Sequence, residues 1–245
     1  MCGRIALYSD TPHLALLLEA GIDPDLVDGL RPSWNDGLRP SWNVGPTSTI
    51  LGASEDREGR RTLGAYRWGL VPSGAGDPAS IRNTFNARAE TVATRPMFRS
   101  AFRRGRILVP VDAFYEWQAG TPKQPYAFTR ADGDPVVFAG LREWWRGDDG
   151  TELRTASIIT TVAGPDMPIH DRQPVVLEPS TWGLWLDPAV TDRGELEPLL
   201  RPTEEGTLVH HRVGRAVGNI RNDSPELVDP VAPPPDAQLS LPLPS

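Results

Sequence analysis

Four polar residues sit in apolar or aromatic strings where chemistry is possible: Cys2 in MCGRIALYSD, Asn86 in NTFNARAET, Glu116 in AFYEW and His170 in MPIHDRQPVVL. Cys2 is the only cysteine among 245 residues, and it follows Met1 directly. A thiol supplies a nucleophile, a carboxyl and an imidazole exchange protons near neutrality, and an amide orients its partners through hydrogen bonds. Each residue also has a plain structural alternative. Cys2 is an incidental residue if the terminus frays. Asn86 caps a helix if ARAET is helical. Glu116 points to water if strand alternation turns it outward, and otherwise its aromatic neighbours raise its pKa. His170, beside Asp171 and Arg172, is an ordinary hydrogen-bonded loop histidine unless other groups converge on it.

A second pattern is electrostatic. Between Thr91 and Val111 lie Arg95, Arg99, Arg103, Arg104 and Arg106 with no acidic residue among them. On a helix, Phe98 and Phe102 share one face while Arg99 and Arg103 share another, so the apolar side docks and the basic side meets solvent or phosphate. Trp42 and Trp68 are candidate stacking surfaces for unpaired bases, although core tryptophans look the same in sequence.

Elements must position these groups. Thr11-Pro12 followed by HLALLLEAG predicts a short helix stopped by Gly21. The octapeptide DGLRPSWN at 28–35 recurs unchanged at 36–43, which reads as a loop-lengthening duplication, at about 0.6 kcal/mol of closure entropy per doubling. The second copy runs on into VGPTSTILGA and so keeps the original role of Trp42 and Asn43. Short β-rich runs then alternate with turn signals: STILGA, TLGAYRWGLV, RILVPVDAFYEW, PYAFTR, PVVFAGL, TASIITT, PVVLEP and TLVHHRV. Helices are predicted at PMFRSAFRRG and, after an Asp192 cap, at DRGELEPLL. Strands without a βαβ rhythm favour one α+β domain over residues 2–231, with a curled, mostly antiparallel, barrel-like sheet and a few short helices. Residues 232–245, APPPDAQLSLPLPS, read as a disordered Pro-rich tail.

Composition narrows the function classes. Hydrophobic residues make up 39% with eight tryptophans, as in a globular chain. One cysteine excludes a disulfide framework, and His13, His170, His210 and His211 do not complete a zinc-type spacing, so neither a metal nor another cofactor is expected. No signal peptide and no eighteen-residue apolar run predict a soluble, cytoplasmic protein without membrane contact. A formal net charge of −7 confines any nucleic-acid binding to a local patch. Walker-type and G-x-S-x-G motifs are absent.

The strings MCGR, WNVGPT, YRWGLVPS, NARAETVATRPMFRSAF, LVPVDAFYEW, IITTVAG, IHDRQPVVL and VGNIRNDSPEL follow the order and spacing of the SRAP family, which the chain resembles from Cys2 to about Val231. Those proteins crosslink to abasic sites in single-stranded DNA. The resemblance implies that Cys2 is the crosslinking residue, with Asn86, Glu116 and His170 as its companions. It also makes Arg4, Asn43, Trp68, Arg88 and Thr160 DNA-contacting or site-shaping positions, with Arg99 and Arg103 tracking phosphates. Removal of Met1 would leave a residue with both an α-amine and a thiol. The amine condenses with the opened sugar's aldehyde, and the thiol closes a thiazolidine. Lysine reaches only an imine, and Lys123 is the only lysine.

Departures from the family pattern are Gln173 in place of methionine, Ala113 in place of glycine, a stretch before His170 one residue short, and the duplication preceding Asn43. Two other classes remain open: an N-terminal-cysteine peptidase, and a non-catalytic single-stranded DNA module. The protein is expected to act as a monomer. In the tail, Gln238, Leu239, Leu241 and Leu243 of QLSLPL resemble the peptide by which bacterial proteins bind the replication sliding clamp.

Overall fold

The computed structural model describes residues 2–27 and 39–233; the clamp-like QLSLPL string and most of the octapeptide duplication lie outside them. In chain order the elements are β1 (Ile5–Leu7), α1 (Thr11–Leu17), β2 (Gly21–Ile22), α2 (Pro24–Val27), β3 (Ser41–Val44), β4 (Thr49–Glu55), β5 (Arg61–Trp68) and β6 (Asn86–Arg88). There follow α3 (Arg99–Arg104), β7 (Arg106–Val111), β8 (Ala113–Gln118), β9 (Gln124–Arg130), β10 (Val136–Arg146), β11 (Glu152–Val162), β12 (Arg172–Pro174), α4 (Pro179–Leu186), α5 (Arg193–Leu196) and β13 (Leu208–Arg212).

Strands β5, β4, β7, β10 and β11 pair antiparallel in that order, and the ring closes where β11 runs parallel to β5, Thr155 opposite Arg67 and Ala156 opposite Trp68. The expected barrel-like, mostly antiparallel core is therefore a closed five-stranded barrel. Strand alternation explains why its walls read as unbroken apolar runs. Ile107, Val109 and Val111 of β7 join the inner cluster with Ile50, Tyr66, Phe138 and Ile158. Leu108 joins an outer cluster with Phe102 of α3 and Trp185 of α4. The interior is narrow: a Cβ at Gly52 would lie 2.8 Å from Ile107 Cδ1, and one at Gly140 2.7 Å from Val109 Cγ2. A larger residue at either place would force Ile107 or Val109 to shift.

A second sheet, in the order β13, β9, β8, β1, β3, is antiparallel throughout. The chain passes from barrel to sheet at Asp112, between β7 and β8. Its Oδ2 accepts from the N–H groups of Tyr8 and Ser9 at 2.6 and 2.8 Å, and its own N–H donates to Ala6 O. Phe114 and Phe128 of this sheet stack at 5.0 Å and join the inner cluster, so one face of the sheet covers the barrel.

One local expectation is corrected, the ends of the first helix, and the alternative of an Asn86 helix cap is not realised. The first helix is capped by Asp10, whose Oδ1 accepts from His13 N–H, and not by Thr11. It ends at Leu17, the turn falls at Glu19 with φ of 52°, and Gly21 opens β2. ARAET is not a helix: Asn86–Arg88 is a strand, parallel to β11. The Asp192 cap is present, accepting from Gly194 N–H.

Candidate active site

The β6 pairing with β11 places Asn86 opposite Ile158. From there its Nδ2 donates to the carbonyl oxygen of Cys2 at 2.6 Å. Cys2 is fully buried and packs in the inner cluster, which includes Met167 and has Phe85 and Ile169 against it. Burial, and then the Glu116 carboxylate, push its thiol pKa well upward.

Alternation along β8 sends Phe114 and Glu116 to the inner face while Ala113 and Tyr115 pack on the other side. Glu116 therefore points inward and is 3% exposed, not turned to water. Burial raises its pKa above the usual carboxylate range, partly offset by the nearby His170.

His170 arrives on the loop between β11 and β12. Its Nε2 lies 4.0 Å from Glu116 Oε2, and its Nδ1 lies 3.0 Å from Arg172 N and 2.9 Å from Asp171 Oδ1. The structure thus brings the backbone of Cys2, the Asn86 amide, the Glu116 carboxyl and the His170 imidazole to one place. Among the described residues no group of three or more His, Cys, Asp or Glu gathers as metal ligands.

Several other positions hold this place together. Arg4 Nη1 donates to Asn43 Oδ1 and to Val217 O, each at 2.6 Å. Asn43 Nδ2 donates to Asn219 O and Asn222 O. MCGR, WNVGPT and VGNIRND, far apart in sequence, are thus one hydrogen-bonded cluster beneath the N-terminal strand. Trp68 is fully buried and its indole N–H donates to Phe85 O at 2.8 Å, fixing the residue beside Asn86. Thr160 is buried too, and its carbonyl accepts from Arg172 Nη2 and from Ala89 N. The side chains of Asn43, Trp68 and Thr160 are thus buried rather than exposed.

The guanidiniums of Arg88, Arg99 and Arg103 are exposed and make no ion pair among the described residues. Phe98 and Phe102 are buried beneath α3, as the spacing predicts. Arg106 is the exception within the arginine run: it is 4% exposed and faces no solvent.

Sequence reasoning missed three supports. Arg172 forms a two-pronged ion pair with Glu90 at 2.7 and 3.0 Å. Asp171 touches the His170 ring. Gln173, fully buried, accepts from Gly164 N–H through Oε1 at 2.6 Å and donates to Thr203 Oγ1 at 3.1 Å, tying down the loop that carries His170. The apolar setting of Gln173 in DRQPVVL is the one signal that pointed to a buried polar role.

The family described as SOS response associated peptidase (SRAP) matches residues 1–220. Abasic site processing protein YoqW of Bacillus subtilis is 36% identical over 232 residues, covering 94% of this chain and 99% of its own. Abasic site processing protein YedK of Escherichia coli is 33% identical over 236 residues, covering 94% and 100%. A crystal structure of a Bacteroides thetaiotaomicron protein superposes with a TM-score of 0.80 at 21% identity, covering 94% of this chain and 100% of that one. This last likeness concerns the fold alone.

Proposed function

The chain belongs to the SRAP family, and from that premise we propose that it processes abasic sites by forming a thiazolidine crosslink through Cys2 once Met1 has been removed. The observation that carries the proposal is the Asn86 contact. It holds the main-chain carbonyl of residue 2, while a carboxyl and an imidazole meet at the same site. A fixed main chain at residue 2 suits a reaction in which its α-amine, as well as its sulfur, must meet the aldehyde.

An α-amine with an ordinary pKa of about 7.7–8.0 is roughly one-tenth free at pH 7. It adds to the aldehyde carbon of the opened sugar; the resulting hydroxyl takes a proton from Glu116 and leaves as water, and the nitrogen returns its proton to the Glu116 carboxylate, giving a neutral imine. The sulfur–carbon bond then forms as the thiol proton passes to the imine nitrogen, closing the five-membered ring. The raised pKa of Glu116 favours the protonated carboxyl that the first step needs. Burial pushes the Cys2 thiol pKa upward, which suits a sulfur that reacts as a thiol once the imine has formed.

Exposed Arg88, on the strand that carries Asn86, and Arg99 and Arg103 on α3 are the candidate phosphate contacts. The test is denaturing electrophoresis after mixing protein with a single-stranded oligonucleotide holding one abasic site. A heat- and detergent-stable band from the processed protein, absent for Cys2→Ala and for protein with an uncleaved N-terminal extension, is expected. Equal stable adducts from the extended protein would overturn the proposal.

A further inference from the structure

Resting on that crosslinking reading, we propose that Asp171 is the outer end of a proton relay, Asp171 to His170 to Glu116, that connects the buried carboxyl to bulk water. The need follows from depth. Glu116 is 3% exposed, yet about nine-tenths of the α-amine is ammonium at pH 7, so each crosslink sheds one proton that has to pass from the buried site to bulk water. The three side chains form a gradient of exposure: Glu116 buried, His170 26% and Asp171 88% exposed.

The imidazole has one nitrogen toward each carboxyl. Nε2 faces Glu116 Oε2 at 4.0 Å, and a closer approach of about 1 Å makes that a hydrogen bond. Nδ1 has two neighbours it cannot serve at once. Arg172 N–H, at 3.0 Å, needs the Nδ1 lone pair, whereas Asp171 Oδ1, at 2.9 Å, needs a proton on Nδ1. These are the contacts of the two neutral tautomers. With the proton on Nε2, Nδ1 accepts from Arg172. With the proton on Nδ1, the ring donates to Asp171.

Inward transfer moves between them. Bulk water protonates Asp171; the Nε2–H bond breaks as an O–H bond forms on Glu116; Nδ1 takes the proton from Asp171, which is left as a carboxylate. One proton has crossed, and the ring is neutral before and after. Outward transfer is the reverse. The Arg172 guanidinium, the other charged group on this strand, is committed to Glu90 and Thr160 O, so it does not compete for Asp171.

The experiment is single-turnover crosslinking across pH for the wild type, Asp171→Asn and Asp171→Glu, each with increasing imidazole buffer. Asp171→Asn should lower the rate about tenfold or more without weakening DNA binding, Asp171→Glu should retain it, and buffer should restore the Asn variant in proportion to its concentration. A wild-type rate in Asp171→Asn, or a loss indifferent to buffer, would overturn the relay. Nitrogen NMR of the His170 ring in DNA-free protein is the independent arm, with the Nδ1 signal expected to move in Asp171→Asn. An unmoved signal overturns the relay whether or not the protein crosslinks. Failure of the wild type to form any adduct would instead strike the crosslinking reading, leaving the NMR result to decide the relay.

Discussion

Two charged residues are buried to nearly the same extent, Arg106 at 4% and Glu116 at 3% exposure, in regions that use burial in opposite ways. Arg106 stands where α3, α4 and β7 meet, and its guanidinium donates to five main-chain carbonyls: Phe102, Arg103, Trp185, Asp187 and Val190. Those carbonyls include the ends of two helices, where a cation and its donors are favourable. Glu116 lies instead between a buried thiol and a half-buried imidazole, and burial raises its pKa. A charge surrounded by fixed main-chain partners locks a joint. A charge set among groups that themselves exchange protons is available for chemistry.

Exchanging each for a neutral residue separates the two roles. Glu116→Gln should slow crosslinking by ~10²–10⁴-fold while leaving DNA binding and the fold intact, as single-turnover kinetics and circular dichroism would record. Its stability should respond to pH in a definite direction. Because the folded-state pKa is raised, the native protein holds the Glu116 proton more tightly than the unfolded chain, so wild-type stability falls as pH rises from the ordinary glutamate value through the folded one. Glu116→Gln removes that loss, so denaturant midpoints should favour the variant at neutral pH and converge in acid.

Arg106→Met should do the reverse. It orphans several buried carbonyls and should cost about 3–5 kcal/mol of unfolding free energy, with crosslinking by the surviving folded fraction little changed. A loss of less than about 1 kcal/mol, the net worth of one ordinary hydrogen bond, would demote the joint. Gln173→Leu is intermediate: leaving Gly164 N–H without its acceptor should cost about 1–3 kcal/mol and, by loosening the His170 loop, also lower the crosslinking rate. The smallest effect is expected at α3, where replacing Arg99 or Arg103 should shallow the log–log salt dependence of single-strand binding by about 0.7 for each phosphate no longer neutralised. An unchanged slope in the double variant would move the phosphate path elsewhere.

The same pair shows how far the sequence was legible. Arg106 and Glu116 both appear in apolar strings, and neither string says which way its charge turns. Strand runs such as TLGAYRWGLV and PVVFAGL were readable because alternation and turn residues are local. Barrel closure was not, since it rests on two residue pairs between β5 and β11, about ninety positions apart in sequence. The helix α4, PSTWGLWL, escaped because it buries Trp182, Trp185 and Leu186 and carries no polar stripe. Asn86 was legible by resemblance only; its local pattern suits a helix cap as well, and the three-residue β6 exists because β11 is there to pair with it. Trp68 was ambiguous because buried and stacking tryptophans share a sequence signature, and the structure buries it.

The central claim is that residue 2 reacts through both its amine and its sulfur, and the most direct measurement is mass spectrometry of the adduct with an abasic oligonucleotide. After nuclease digestion, the N-terminal peptide beginning at Cys2 should carry the sugar remnant with loss of one water, without borohydride reduction, and its sulfur should resist iodoacetamide. An adduct in which that sulfur is still alkylated, or one located on Lys123, would contradict the account.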